Sequence, residues 1–235
     1  MRPFFKIDNL SSGYSLEAMA IRQISLEIPK NKICAVLGSN GAGKTTLLKA
    51  IMGILPSYQG QIFLDDVLLN RYAPEQRTNL GIGYVPQGRG IFPQLTTEEN
   101  LLLGCEVKNI NTKKAKEIGY SFFPALIDIA KRKGGLLSGG QQQQLAIARM
   151  LVMEPRLLIL DEPAEGIQPN IVQNIGAILK KVSVEMNITV LLVEQFVSFA
   201  LSLAQNYYWM QSGEINKGGE VNVSNKKMIL ESITL

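Results

Sequence analysis

The chain has 235 residues, 46% of them hydrophobic, enough to bury the core of one large domain or a two-lobed one. No apolar stretch approaches the roughly 20 residues a membrane span needs, and Met1-Arg2-Pro3-Phe4-Phe5-Lys6 has no signal-peptide layout. The expectation is a cytoplasmic chain that reaches a membrane only through partners. Cys34 and Cys105, the two cysteines, lie far apart without metal-ligand spacing, which argues against a zinc site or a disulfide. The net charge of +4 comes without the interleaved aromatics or reader module of a nucleic-acid patch.

Residues 1–30 alternate as strands, with turns expected at Ser12-Gly13 and Pro29. Ile33-Cys34-Ala35-Val36-Leu37 is a continuous apolar run that predicts a buried strand. Directly after it, Gly38-Ser39-Asn40-Gly41-Ala42-Gly43-Lys44-Thr45 fits the phosphate-binding pattern G-x-x-x-x-G-K-S/T, and residues 46–52, from Thr46, predict the following helix. Glycines let the backbone curl around an anion with its N–H groups inward. The helix adds the positive end of its dipole, Lys44 a full charge for the β- and γ-phosphates, and Thr45 a hydroxyl for Mg²⁺. A strand rich in Ile82 and Val85 follows.

Residues 88–153 are expected to be mainly helical, from Thr97 through Lys133 and again from Gln142 to Met153, where Pro155 stops the helix. Lys113, Lys114, Lys116, Lys131, Arg132 and Lys133 form a solvated basic face, with anionic lipid headgroups a weaker alternative. Between the two helical runs lies Leu137-Ser138-Gly139-Gly140-Gln141. It describes a second anion-binding helix start and, equally, an ordinary capped one. Leu157-Leu158-Ile159-Leu160-Asp161-Glu162 then predicts a strand buried on both faces, ending in two carboxylates where open α/β sheets bind ligands. Asp161 would join the Mg²⁺ shell, and Glu162 would accept a proton from the attacking water. A helix over 171–186, a strand over 188–193, a hairpin around Ser212-Gly213 and a short helix over 224–230 complete the chain. No internal repeat is evident, so one nucleotide-hydrolysing unit is expected.

These motifs together resemble the ATP-binding subunits of ABC transporters over essentially the whole length. The loop at 38–45 is similar to Walker A, 157–162 to Walker B, and 137–141 matches the ABC signature. Gln87, in Tyr84-Val85-Pro86-Gln87-Gly88, falls at the Q-loop glutamine. Tyr14 falls at the adenine-stacking aromatic, although a strand-edge aromatic fits it equally. The resemblance implies an α/β P-loop NTPase: a RecA-like core with an antiparallel β subdomain (1–87 and 156–235) and an inserted helical subdomain (88–155). It implies ATP and Mg²⁺ as ligands. Glu162, Gln195 and Gln87 would serve hydrolysis, and Thr45, Gln87 and Asp161 the metal. Tyr14, the loop from Gly38 to Thr46, and Ser138, Gly139, Gly140 and Gln141 would hold the nucleotide. The chain departs from the family pattern in having no histidine, so Gln195 stands at the switch position. Gln168 replaces the usual D-loop aspartate, and Asn31-Lys32 the Gly-Glu before the first core strand.

Within the family, Tyr84 to Arg89, Ile91-Phe92-Pro93-Gln94-Leu95-Thr96 and Val193-Glu194-Gln195 resemble the importers of branched-chain amino acids and their relatives. Three stretches look more like the urea or short-chain amide branch. They are Lys133-Gly134-Gly135 with the run Gln141 to Gln144, the segment Glu165-Gly166-Ile167-Gln168-Pro169-Asn170-Ile171-Val172, and Glu194-Gln195-Phe196 through Phe199-Ala200. The implied assembly has two ATPs sandwiched between two ATP-binding subunits, more often a related chain than a copy. Transmembrane permease subunits and, indirectly, a solute-binding protein complete it. Ile91, Phe92 and Leu95 then either contact the permease or fill the subdomain core. A non-transport ABC clamp on nucleic acid is the more distant alternative.

Overall fold

The computed structural model describes residues 3–108 and 110–234. The strands are β1 (Phe5–Gly13), β2 (Met19–Ile28), β3 (Ile33–Leu37), β4 (Ser57–Leu64), β5 (Val67–Leu68), β6 (Ile82–Val85), β7 (Leu157–Asp161), β8 (Thr189–Glu194), β9 (Asn206–Gln211) and β10 (Glu214–Glu220). They form an antiparallel sheet, β2-β1-β4-β5, and a larger sheet, β10-β9-β3-β8-β7-β6, parallel except for β10. The helices are α1 (Lys44–Ile51), α2 (Pro74–Asn79), α3 (Thr97–Lys108), α4 (Thr112–Phe122), α5 (Gly139–Val152), α6 (Pro169–Glu185), α7 (Val197–Leu203) and α8 (Lys226–Thr234).

The absence of polar alternation in the central strands has a direct structural cause. In β3, Ile33, Ala35 and Leu37 face one core while Cys34 and Val36 face another. The same split divides Leu158 and Leu160 from Leu157 and Ile159 in β7, and Val190 and Leu192 from Leu191 and Val193 in β8. The first core is filled by residues of α5, α6, α7 and α8, the second by α1 and the inner face of the antiparallel sheet. A strand covered on both faces has no polar side to show.

Several local expectations shift. Ser12 and Gly13 belong to β1 rather than to a turn, and the chain reverses over 14–18. Gly13 is needed there for close approach, because a Cβ would lie 2.3 Å from the Ala18 carbonyl. The helical stretch is broken rather than continuous. Asn111 caps α4 by accepting from the Lys113 N–H, and Pro124 lets the chain continue only as a short 3₁₀ turn. On the basic face, Lys114 pairs with Glu154 and Lys116 with Glu98, each at 2.8 Å. Asn31 adopts φ 58°, a conformation asparagine tolerates better than most residues, so it replaces glycine here at little cost. Buried Arg77 donates from Nη1 to the carbonyls of Ala50 (2.9 Å) and Ile51 (2.6 Å), fixing the C-terminal end of α1. Its N-terminal end is the phosphate loop.

Candidate nucleotide site

The loop that joins β3 to α1 is held close to β9 and to the β9–β10 hairpin. A Cβ on Gly38 would sit 2.4 Å from the Met210 carbonyl, so only glycine allows the approach. Gly43 takes φ 102° at the helix start. No side chain caps α1, which leaves its first-turn N–H groups for another acceptor. The Gly213 N–H donates to the Ala42 carbonyl at 2.9 Å, setting the hairpin tip against the loop. Together they border a cavity of about 610 Å³, lined by Asn40, Gly41, Gly43, Lys44, Thr45 and Thr46 on one side and by Gln87, Glu162, Ser212, Gly213 and Ala20 on the other. Ser39 borders the lysine through its carbonyl instead. The hairpin residues and Ala20 carry no motif, so sequence spacing could not announce them.

Lys44 lies inside this loop, 5% exposed. Its Nζ donates to the carbonyls of Gly38 (2.7 Å) and Ser39 (2.9 Å) and pairs with Glu162 Oε1 at 3.0 Å. Glu162 reaches it by an unusual turn. Immediately after β7 its backbone adopts φ 49°, a left-handed conformation disfavoured for a residue with a long side chain and concentrated at functional sites. Gln87 Nε2 donates to Glu162 Oε2 at 3.3 Å and to Glu165 Oε2 at 2.9 Å. The glutamine therefore links the start of the helical region to both carboxylates after β7.

Asp161 has the geometry that best suits a cation. Oδ2 accepts from Thr45 Oγ1 at 3.3 Å and from the Tyr84 hydroxyl at 3.4 Å, while buried Oδ1 has no hydrogen-bond partner among the described residues. Burial first, and the Glu162 charge second, push its carboxyl above the ordinary range. No cluster of three or more metal-ligating His, Cys, Asp or Glu side chains occurs among the described residues. One carboxylate, one hydroxyl and one amide suit Mg²⁺, which keeps several waters and takes the rest of its oxygens from phosphates.

The remaining expected residues lie outside this cavity. Ser138 caps α5, accepting from the Gln141 N–H at 3.3 Å, and the Gln141 side chain accepts from the Ser138 N–H at 3.0 Å. Ser138 is exposed, with Gly139 and Gly140 half-buried, and none of the corner lines the cavity. Tyr14 is 66% exposed, and its ring lies 5.9 Å from Lys49 Nζ rather than in the cavity wall. Gln195 is exposed just beyond β8. Phe92 is exposed, whereas Ile91 packs against the larger core, so this stretch divides between surface and interior.

Glu194 entered the sequence reading only within stretches that resemble family branches, one residue beyond the strand expected to end at 193. It is fully buried, and burial, reinforced by the Glu162 charge, holds its proton on up to about 7 against an ordinary 4.5 despite three N–H groups favouring the ion. Between those values the folded chain binds more protons than the unfolded one, so this group's contribution to stability falls as pH rises from 4.5 to about 7. Thermal melts across that window should show the natural chain losing more melting temperature than Glu194→Gln. Parallel losses would contradict a buried acid.

Residues 21–165 match the ABC transporter family. The chain belongs to that family. It is 39% identical over 214 residues, 91% of this chain and 90% of the relative, to the probable branched-chain amino acid transport ATP-binding protein LivF of Archaeoglobus fulgidus. It is 36% identical over 213 residues, 88% of this chain and 89% of the relative, to the high-affinity branched-chain amino acid transport ATP-binding protein BraG of Pseudomonas aeruginosa. Among solved structures, the ADP- and phosphate-bound post-hydrolysis dimer of the ATP-binding cassette MJ0796 superposes with a TM-score of 0.84 at 26% identity, covering 93% of this chain and 99% of that one. The ADP form of the cassette MJ1267 gives 0.85 at 24% identity, with 100% and 98% covered, and bears on the fold alone. The present ABC protein is thus an importer ATPase that binds and hydrolyses ATP with Mg²⁺. Among the described residues no helix is long and apolar enough to cross a membrane.

Proposed function

We propose that this ATPase powers uptake of urea or a short-chain amide through transmembrane permease subunits, working peripherally on the cytoplasmic face of the membrane. Lys44 and the α1 N–H groups receive the β- and γ-phosphates. Thr45, Asp161 and Gln87 would hold Mg²⁺, which would supply charge neutralisation. Glu162 takes the proton of the attacking water, and Gln195, which cannot carry the charge of a histidine, orients that water by hydrogen bonds. Family resemblance, rather than cavity geometry, assigns adenine stacking to the exposed Tyr14. A second ATP-binding subunit, head to tail, brings its serine–glycine corner to the γ-phosphate, and a solute-binding protein delivers cargo to the permease. The observation that carries the nucleotide chemistry is the Lys44–Glu162 contact beside the unpartnered Asp161 oxygen. Exposure of Ser138 leaves that residue of the corner available to a partner.

For the solute, support comes from the segments at 133–135, 141–144, 165–172 and 194–200 that resemble the urea and amide branch. A second reading, branched-chain amino acids, is favoured by the names of the two relatives. Uptake of labelled urea, acetamide and leucine by cells with and without this gene separates them. Loss of urea or acetamide uptake alone is expected. Loss of leucine uptake alone would transfer the assignment to the second reading.

A further inference from the structure

Glu194 ends the central strand β8 with 0% exposure, and among the described residues no lysine or arginine pairs with it. Desolvation disfavours such a carboxylate. Its two oxygens are nonetheless engaged, and by different loops. Oε1 accepts the Ala164 N–H at 2.9 Å, two residues beyond Glu162. Oε2 accepts the N–H groups of Gln195 and Phe196 at 3.1 and 3.3 Å. The backbone at the same point extends the set. The Glu194 carbonyl accepts from Gly38 at 3.4 Å, and the Val193 carbonyl accepts from Glu162 at 2.8 Å. One strand end therefore meets the first glycine of the phosphate loop, Glu162, the loop after it and the segment carrying Gln195.

We propose that Glu194 is a positioning residue for hydrolysis: its carboxylate bridges the Glu162 loop to the Gln195 segment and sets the spacing at which their side chains flank the attacking water. The proposal rests on the roles given above to Glu162 and Gln195. An apolar side chain would end β8 without the desolvation cost, but it would leave the three loop N–H groups without acceptors and the loops without a common tether. Glu162, in the loop that follows β7, is the charged group that acts on this carboxylate, and above about pH 7 Glu194 is mostly ionised, with both oxygens open to accept the three bonds.

The test is steady-state hydrolysis by the full chain at pH 8 with Glu194→Gln. The amide removes the buried charge but turns an NH₂ group toward one of the loop donors. The expected result is a kcat lower by about tenfold or more, since small misplacements of reacting groups cost rate steeply. KM for Mg-ATP should stay nearly unchanged and the melting temperature should not fall. Glu194→Asp keeps the charge but is one methylene short of spanning both loops, and it should lose kcat similarly. A natural kcat in either folded variant overturns the proposal, as does a kcat loss that merely tracks a lower melting temperature. If neither variant folds, hydrogen exchange on the natural chain decides. Slow exchange at the Ala164 and Phe196 amides supports the bridge, and exchange at open-loop rates overturns it. Natural turnover in Glu162→Gln would remove the proposed base while leaving the Ala164 amide protected, so the two failures are distinguishable.

Discussion

Glu162→Gln is expected to bind Mg-ATP at least as tightly as the natural chain and to hydrolyse it about 10²–10⁴-fold more slowly, the usual contribution of a positioned base. The loss follows from replacing a proton acceptor with an amide that cannot take the proton. The retained or improved binding follows from the geometry around Lys44. Glu162 Oε1 holds Lys44 Nζ at 3.0 Å, so an incoming phosphate competes with a carboxylate for the same cation. The amide is a weaker competitor and releases the lysine. Equilibrium nucleotide binding and single-turnover hydrolysis measured on the same preparation check both halves. Unchanged turnover would remove Glu162 from the base role, and weakened binding would contradict the competition.

Lys44→Ala should lower ATP affinity by about 10–100-fold, since a hydrogen bond to a charged group contributes roughly 1.5–3 kcal/mol and each 1.4 kcal/mol is a factor of ten. Two further effects accompany the lost contact. The carbonyls of Gly38 and Ser39 lose their shared donor, so the loop loosens. Glu162, 9% exposed at its side chain, is left without its counter-ion beside the phosphate site and repels the nucleotide. Titration of a fluorescent ATP analogue reads the sum. Natural affinity in the variant would contradict the assignment of the loop.

The phosphate loop was legible because three local signals agree on it: an apolar run, a glycine-lysine spacing and a helix-forming run. Asp161 and Glu162 were legible for a similar reason, as two charges ending a strand with no polar face. The antiparallel sheet was harder. In β4, Ser57–Leu64, only Ile62 and Leu64 are buried, and Gly60 takes φ 80°, so little periodicity survives. Glu194 shows a different limit. Its partners are backbone N–H groups from loops about thirty residues apart in the chain, and backbone donors leave no trace in residue identity. The stretch 137–141 matches the ABC signature letter for letter, yet in one subunit alone Ser138 is exposed, Gly139 and Gly140 are half-buried, and the corner they form lies away from the cavity. Its purpose becomes physical only with a second subunit. The transported solute leaves no mark on any residue of the nucleotide cavity.

The most direct measurement is a crystal structure of Glu162→Gln grown with Mg-ATP. The predicted result is a γ-phosphate against Lys44 Nζ, Mg²⁺ held by Thr45 and Asp161, and the serine–glycine corner of a second subunit closing the opposite side. A cavity left empty at saturating nucleotide, or a phosphate chain bound away from the loop at 38–45, would contradict it.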